Sequence, residues 1–277
     1  MMNRSRIEKF FKLELTDREY ELDGQMLHYL AVQGEKCAQC GGFDKCTNMA
    51  KHQQMILRRD RFGNLVKAFR NCNVLERHIR QQKMARLFDQ AQVPEKMRGM
   101  TFANYKVNPA NKATFDVVCR FANTENPSKG ILVSGPCGIG KTHLGWAVLQ
   151  ERLKRGDSCL GLTVIDLLRT IKQTFDGDKE KAEELMKAIY TVDYLLLDDM
   201  GAEQAKDWSI NHIFSILDNR LANKKVNIIT TNFLNLKEMA DKMCDGSAYM
   251  AARIYSRIAG GCVVLDYTDT DHRIKAG

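Results

Sequence analysis

The chain has 277 residues, 42 lysines and arginines against 34 aspartates and glutamates for a net charge of +8, and a 44% hydrophobic composition. That length accommodates one large domain and a small one, and no run approaches the ~18 apolar residues of a membrane-spanning helix. The opening Met1-Met2-Asn3-Arg4-Ser5-Arg6 is charged and lacks an apolar signal core, so the expected compartment is the cytoplasm, where the nine cysteines read as metal ligands or buried thiols rather than disulfides.

The positive charge is concentrated towards the front. Residues 45–98 carry thirteen basic and four acidic side chains, whereas residues 99–277 are nearly balanced. A basic front end on a near-neutral remainder points to a polyanion or an acidic protein surface, with solubility as the plain alternative.

In chain order, residues 3–33 read as one or two helices with Leu, Phe and Tyr spaced for a partner face. Cys37-x2-Cys40-x5-Cys46 and Cys72 then offer four thiols, the number a tetrahedral Zn²⁺ requires. His52 is a fifth donor and leaves a Cys3His site open. Between Cys46 and Cys72, residues 54–60 and 65–70 alternate around Phe62-Gly63-Asn64, a pattern for a hairpin that returns Cys72 to the knuckle. A small front end would gain folding energy from zinc. Residues 73–90 read as a basic amphipathic helix with Asn73 at its N-cap, ended by Val93-Pro94. The expected division is a zinc-binding domain over 1–90, a linker over 91–99 and a main domain over 100–277.

Beyond residue 100 strands and helices alternate. Strands are expected at Ile131–Ser134, Cys159–Val164, Tyr194–Leu197, Asn227–Thr231 and Cys262–Asp266, and helices at 141–155, 166–175, 179–190, 207–223, 235–244 and 247–259. Near-continuous apolar strands separated by helices mean an α/β domain whose parallel sheet is covered on both faces.

The chemistry sits at the C-terminal ends of these strands. Gly135-Pro136-Cys137-Gly138-Ile139-Gly140-Lys141-Thr142 is G-x-x-x-x-G-K-T between a short apolar strand and a helix, the context that confirms a phosphate-binding P-loop. Its glycines let backbone N–H groups turn around phosphate oxygens, and the helix N-terminus adds its positive dipole end. Lys141 would reach the β- and γ-phosphates, the Thr142 hydroxyl would ligate Mg²⁺, and His143 follows on the helix. Tyr194-Leu195-Leu196-Leu197-Asp198-Asp199 is an apolar strand ending in two carboxylates, the Walker B pattern. Asp198 would serve Mg²⁺. Asp199 stands where glutamate usually polarises the attacking water, one methylene shorter, so hydrolysis should be slow or partner-dependent. Asn227-Ile228-Ile229-Thr230-Thr231-Asn232 ends in an amide that would either orient the lytic water or cap the next helix. In P-loop ATPases of the additional-strand class such a strand lies between the P-loop and Walker B strands. Arg253 and Arg257 share a helix face. Arg257 is the candidate arginine finger, offered to a neighbouring subunit, against a surface arginine paired with an acid. Cys119, Cys137, Cys159, Cys244 and Cys262 lie mostly in apolar contexts, although Cys137 is inside the P-loop.

Over residues 92–277 the chain resembles the AAA+ helicase loaders of the DnaC/DnaI type, with the transposon-linked IstB ATPases close by. The resemblance rests on G-P-x-G-x-G-K-T-H-L (Gly135 to Leu144), L-L-L-D-D-M-G (Leu195 to Gly201), I-I-T-T-N (Ile228 to Asn232), S-R-I (Ser256 to Ile258) and the Thr101-Phe102-x-Asn104-Tyr105 element, which in the family lies near the adenine. It implies a P-loop AAA+ core with a five-stranded parallel sheet. It also implies an ATP-switched, self-associating protein that binds a hexameric replicative helicase of the DnaB family and places it on single-stranded DNA, with ATP and Mg²⁺ as cofactors. The 45 residues after Asn232 leave no room for the helical lid that carries a second arginine sensor, and Arg273 is the remaining arginine that could approach nucleotide. DnaI-type loaders carry an N-terminal zinc module that contacts the helicase. The cysteine pattern favours that subtype, with residues 58–86 docking on helicase or DNA. An IstB-like transposition ATPase that remodels duplex DNA is the alternative reading.

Overall fold

The computed structural model describes residues 4–48, 51–91, 93–176, 179–202 and 207–267. Its chain contacts divide into two compact units, Met1–Gln82 and Lys83–Gly277.

The first unit begins with helices α1 (Arg4–Phe11) and α2 (Asp17–Ala38). Thr16 starts α2 with a capping box. Its hydroxyl accepts from Glu19 N, and the Glu19 carboxylate accepts from Thr16 N, so two of the donors orphaned at a helix start are satisfied. The hairpin is present as strands β1 (Gln53–Arg59) and β2 (Leu65–Asn71), antiparallel with Leu57 opposite Lys67. Asp60 accepts from Phe62 N and Asn64 N in the turn, an Asx device that lets a short polar loop reverse the chain. Leu57 is buried with Ile7, Leu15 and Leu27 in a small core. Arg59 clamps the hairpin to the α2 cap through Glu19 at 2.8 Å.

Helix α3 (Asn73–Gln90) follows directly. Asn73 is its first helical residue rather than its cap. The cap is Cys72, whose Sγ accepts from Leu75 N at 3.4 Å, because the strand delivers Cys72, not Asn73, to the turn. The unit boundary falls inside α3 rather than at 91–99. Met84, Leu87 and Phe88 on its last turns, with Ala91 and Val93, belong to the large core, and Phe88 meets Trp146 edge to face. The segment expected to be a linker therefore holds buried side chains and a short helix α4 (Glu95–Arg98).

The second unit contains α5 (Lys112–Asn123), β3 (Gly130–Ser134), α6 (Lys141–Arg155), β4 (Cys159–Thr163), α7 (Val164–Asp176), α8 (Lys179–Thr191), β5 (Tyr194–Met200), α9 (Asp207–Ala222), β6 (Val226–Thr231), α10 (Leu236–Met243), α11 (Ala248–Gly261) and β7 (Cys262–Asp266). Among the described residues the strands form one five-stranded sheet in the order β4-β5-β6-β3-β7, every pairing parallel. Strand β6 separates the P-loop strand β3 from the acid-bearing strand β5. The inner strands β3 and β6 are buried along their whole length and β5 at every position but Asp199, as a sheet with helices on both faces requires. All five strands and six helices expected from residue 130 onwards are present. Helix α5 was not anticipated.

Candidate functional site

Three strand ends and one loop converge at the carboxyl edge of the sheet, where open α/β sheets bind ligands. Helix α6 begins at Lys141 with Gly140 as its N-cap in the left-handed region at φ 97°. A Cβ there would lie 2.9 Å from the Tyr105 hydroxyl, and one on Gly135 only 2.1 Å from the Tyr267 carbonyl oxygen. The loop thus needs glycine both for its turn and for the closeness of its neighbours.

Lys141 is buried at 6% exposure. Its Nζ donates to Pro136 O at 2.7 Å and to Asn232 Oδ1 at 2.8 Å. Asn232 turns its other amide atom outward, and Nδ2 donates to Asp199 Oδ1 at 2.6 Å. The side chain expected either to face nucleotide or to cap a helix therefore bridges the P-loop lysine and the second acid. The cap of α10 is Asn235, which accepts from Lys237 N and Glu238 N.

Asp198 is 3% exposed. Its Oδ1 accepts from Thr142 Oγ1 at 3.0 Å and Thr230 Oγ1 at 2.5 Å. Burial pushes its carboxyl above the ordinary aspartate value, against the two hydroxyl hydrogen bonds that pull it down. A carboxylate and a hydroxyl this close at a loop built for phosphate form the oxygen donor set that a hard divalent cation takes.

The flank is aromatic. Tyr105 stacks on Phe115 with centroids 5.4 Å apart and hydrogen-bonds the Tyr267 hydroxyl. His143 Nε2 donates to Thr101 O at 2.9 Å and Asn104 Oδ1 at 3.0 Å, which fixes the Thr101–Tyr105 element against the first turn of α6. Sequence reasoning missed Thr230 and Tyr267. Thr230 acts from β6 on the acids of β5, and Tyr267, just past β7, is tied to Ser134 O and the Tyr105 hydroxyl, relations that a linear pattern does not display.

Arg257 is on α11, where its Nε donates to Asp218 Oδ1 and its guanidinium lies 5.6 Å from the Phe214 ring centroid. Arg253 sits 3.8 Å over the same ring. Arg273 lies outside the described residues. Cys137 is exposed, whereas Cys159, Cys244 and Cys262 are buried.

The expected zinc ligands do not converge. Among the described residues no group of three His, Cys, Asp or Glu side chains is placed to hold a metal ion. Cys37, Cys40, Cys46, Cys72 and His52 line one cavity of about 870 Å³ in the first unit, and each is otherwise engaged. Asn48 Nδ2 donates to Cys37 Sγ, Cys40 Sγ donates to Gly42 O, and Cys46 Sγ accepts from His52 N. The His52 ring stacks on Phe43 at 4.1 Å.

A phosphate loop after β3, paired acids near the end of β5 and a polar amide after the intervening β6 define a P-loop ATPase domain of the AAA+ class. The chain belongs to the family of IstB-like ATP binding proteins, whose family model matches residues 43–276. It is 31% identical over 171 residues to the replicative helicase loader DnaC of Escherichia coli strain K12, across 60% of this chain and 68% of that one. To the replicative helicase loader DnaI of Bacillus subtilis strain 168 it is 23% identical over 215 residues, across 75% and 67%. The crystal structure of DnaI superposes with a TM-score of 0.56 at 26% identity, over 64% of this chain and 95% of that one. AMPPCP-bound DnaA from Aquifex aeolicus gives 0.52 at 25%, over 64% of this chain and only 52% of DnaA, so the match spans about half of that protein. No helix among the described residues is long and apolar enough to cross a membrane.

Proposed function

We propose that this protein is an ATP-dependent loader that binds a hexameric replicative helicase of the DnaB family and delivers it to single-stranded DNA in the cytoplasm. The observation that carries the reading is the continuous hydrogen-bonded path Lys141–Asn232–Asp199 beside Thr142–Asp198. These are the parts that an ATP-hydrolysing switch needs in one place, in a chain whose curated relatives are helicase loaders.

Gly135, Pro136, Cys137, Gly138, Ile139, Gly140 and Lys141 cradle the phosphates, with Thr142 and His143 on the first turn of α6. Lys141 turns from Pro136 and Asn232 towards the β- and γ-phosphates. Thr142 and Asp198 would hold Mg²⁺, and the ion would supply positive charge against the phosphate oxygens. Asp199 accepts the proton of the attacking water and Asn232 orients it. Because Asp199 is shorter than glutamate, turnover is slow and rises when DNA or helicase is present. Subunits self-associate through the ATPase domain. Arg257 then exchanges Asp218 for a neighbour's γ-phosphate, where a guanidinium stabilises transition-state charge.

For the first unit we propose helicase docking and a zinc ion held by Cys37, Cys40, Cys46 and Cys72, with His52 as the competing ligand. The donor chemistry supports this: four thiols face one cavity, and amide N–H groups already point at Cys46 and Cys72, as thiolate ligands require. The thiols would have to draw together on the metal.

The test is co-purification of the full chain with hexameric replicative helicases, with and without ATP, alongside zinc analysis of freshly reduced protein. ATP-sensitive helicase capture with about one zinc per chain supports the reading. Capture of a transposase in place of helicase contradicts the loader assignment, and zinc-free protein that still captures helicase contradicts the metal alone.

A further inference from the structure

The two acids of β5 pose a geometric problem. In a regular strand consecutive side chains point to opposite faces, so Asp198 and Asp199 could not both face the phosphate loop. Both nevertheless reach the site: Asp198 meets Thr142, and Asp199 meets Asn232, which in turn holds Lys141. The pairing with β6 shows how. Leu197 is opposite Ile229 and Met200 is opposite Thr231, with a register shift between them. Two residues on β5, Asp198 and Asp199, therefore stand against one on β6, Thr230. This is the count of a β-bulge, a device that re-aims side chains. Asp199 completes it with a left-handed backbone at φ 58°, a conformation that costs a non-glycine residue free energy and persists only when its surroundings hold it.

Thr230 is the residue that holds it. Its one hydroxyl donates to Asp198 Oδ1 at 2.5 Å and accepts from Asp199 N at 2.9 Å. One oxygen thus fixes the first acid by its side chain and the second by its backbone, from the single position facing the bulge. Thr230 is 1% exposed, with its methyl turned towards Gly145 of α6. The next residue supports the same arrangement, with Thr231 Oγ1 donating to Met200 O at 2.7 Å beyond the bulge.

We propose that Thr230 is a positioning residue for ATP hydrolysis: through its hydroxyl it sets the bulge that aims Asp199 at the attacking water while Asp198 stays with the cation. The proposal rests on the ATPase reading above. It places Thr230 in control of turnover rather than of nucleotide affinity, since the phosphate contacts lie on the other strand and its loop.

The experiment compares wild type, Thr230→Val and Thr230→Ser for steady-state turnover at saturating ATP and for affinity towards a non-hydrolysable ATP analogue with Mg²⁺. Valine keeps the volume and removes both hydrogen bonds. Serine keeps the hydroxyl. The expected result is a kcat reduced about tenfold or more in Thr230→Val, the scale of losing the hydrogen bond to charged Asp198 together with the one from Asp199 N. Analogue affinity stays within about threefold of wild type, and Thr230→Ser returns most of the rate. Unchanged kcat in Thr230→Val overturns the proposal, and so does equal impairment of Thr230→Ser, which would mean a packing role. If Thr230→Val does not fold, Thr230→Cys replaces it, with the same expected split between rate and affinity. If wild type itself fails to bind the analogue, the ATPase reading falls first, and this outcome is distinct from either failure of Thr230.

Discussion

Lys141 and Asn232, ninety-one positions apart, are joined by one hydrogen bond of 2.8 Å from Nζ to Oδ1. The same amide continues to Asp199, so a single side chain just past the end of β6 ties the phosphate-loop lysine to the acid of β5. A triphosphate entering the loop competes for Nζ. Its arrival would therefore be felt at Asp199 through Asn232, without any movement of the sheet.

That relationship separates two neighbouring asparagines. Asn232→Ala is expected to lower turnover about hundredfold, the scale of a misplaced reacting group, with no helix cap lost, since the cap of α10 is Asn235. Asn235→Ala is expected to destabilise the fold by about 1 kcal/mol through loss of the α10 cap and to leave turnover intact. Urea unfolding and steady-state ATPase on both variants check the pair.

Asp199→Asn keeps the shape of the side chain and its tolerance of the left-handed backbone but removes the carboxylate. Turnover should fall by at least about a hundredfold, while nucleotide affinity holds. An Asn variant that hydrolyses ATP at the wild-type rate would remove Asp199 from the mechanism.

Arg220 anchors the opposite edge of the sheet. It is fully buried, and its guanidinium donates to Ile189 O, Val192 O, Val226 O and Asn227 Oδ1. Arg220→Ala leaves four buried acceptors unpaired beside a cavity, and should cost about 3–5 kcal/mol in denaturant unfolding. Arg220→Lys recovers only part of this, since an ammonium cannot span four acceptors in fork geometry.

In the first unit, the Arg59 guanidinium and the Thr16 N–H hold the Glu19 carboxyl down to about 2 from its usual 4.5. The unfolded chain binds a proton at Glu19 below about pH 4.5 and the folded chain only near pH 2. Stability from this group is therefore complete above that window and lost as pH falls through it. The difference in stability between wild type and Glu19→Gln, measured by urea unfolding from pH 7 downward, should shrink between about pH 4.5 and pH 2.

Much of the ATPase unit was legible in the linear chain because its signals are local. Apolar runs bounded by Gly130 and Ser134 gave β3, and Gly156, left-handed at φ 93°, marked the end of α6. The features that escaped are those set by a partner. The bulge at Asp198–Asp199 exists only against Thr230. Helix α5 carries a run of weak helix formers from Thr114 to Cys119 and buries Val118 and Ala122. Cys72 rather than Asn73 caps α3 because the hairpin sets the entry angle. The C-x2-C spacing offered thiol donors but could not dictate their convergence, which the described residues do not show. The last turns of α3 read as part of the front end by charge, yet Met84, Leu87 and Phe88 commit them to the larger core.

The most direct measurement is calorimetric titration of the full chain and its Lys141→Ala variant with a non-hydrolysable ATP analogue and Mg²⁺. The account predicts one site per chain in wild type and a loss of affinity of at least about a hundredfold in the variant, the scale of a lost charge-assisted contact to phosphate. Equal affinity in the two proteins would contradict it.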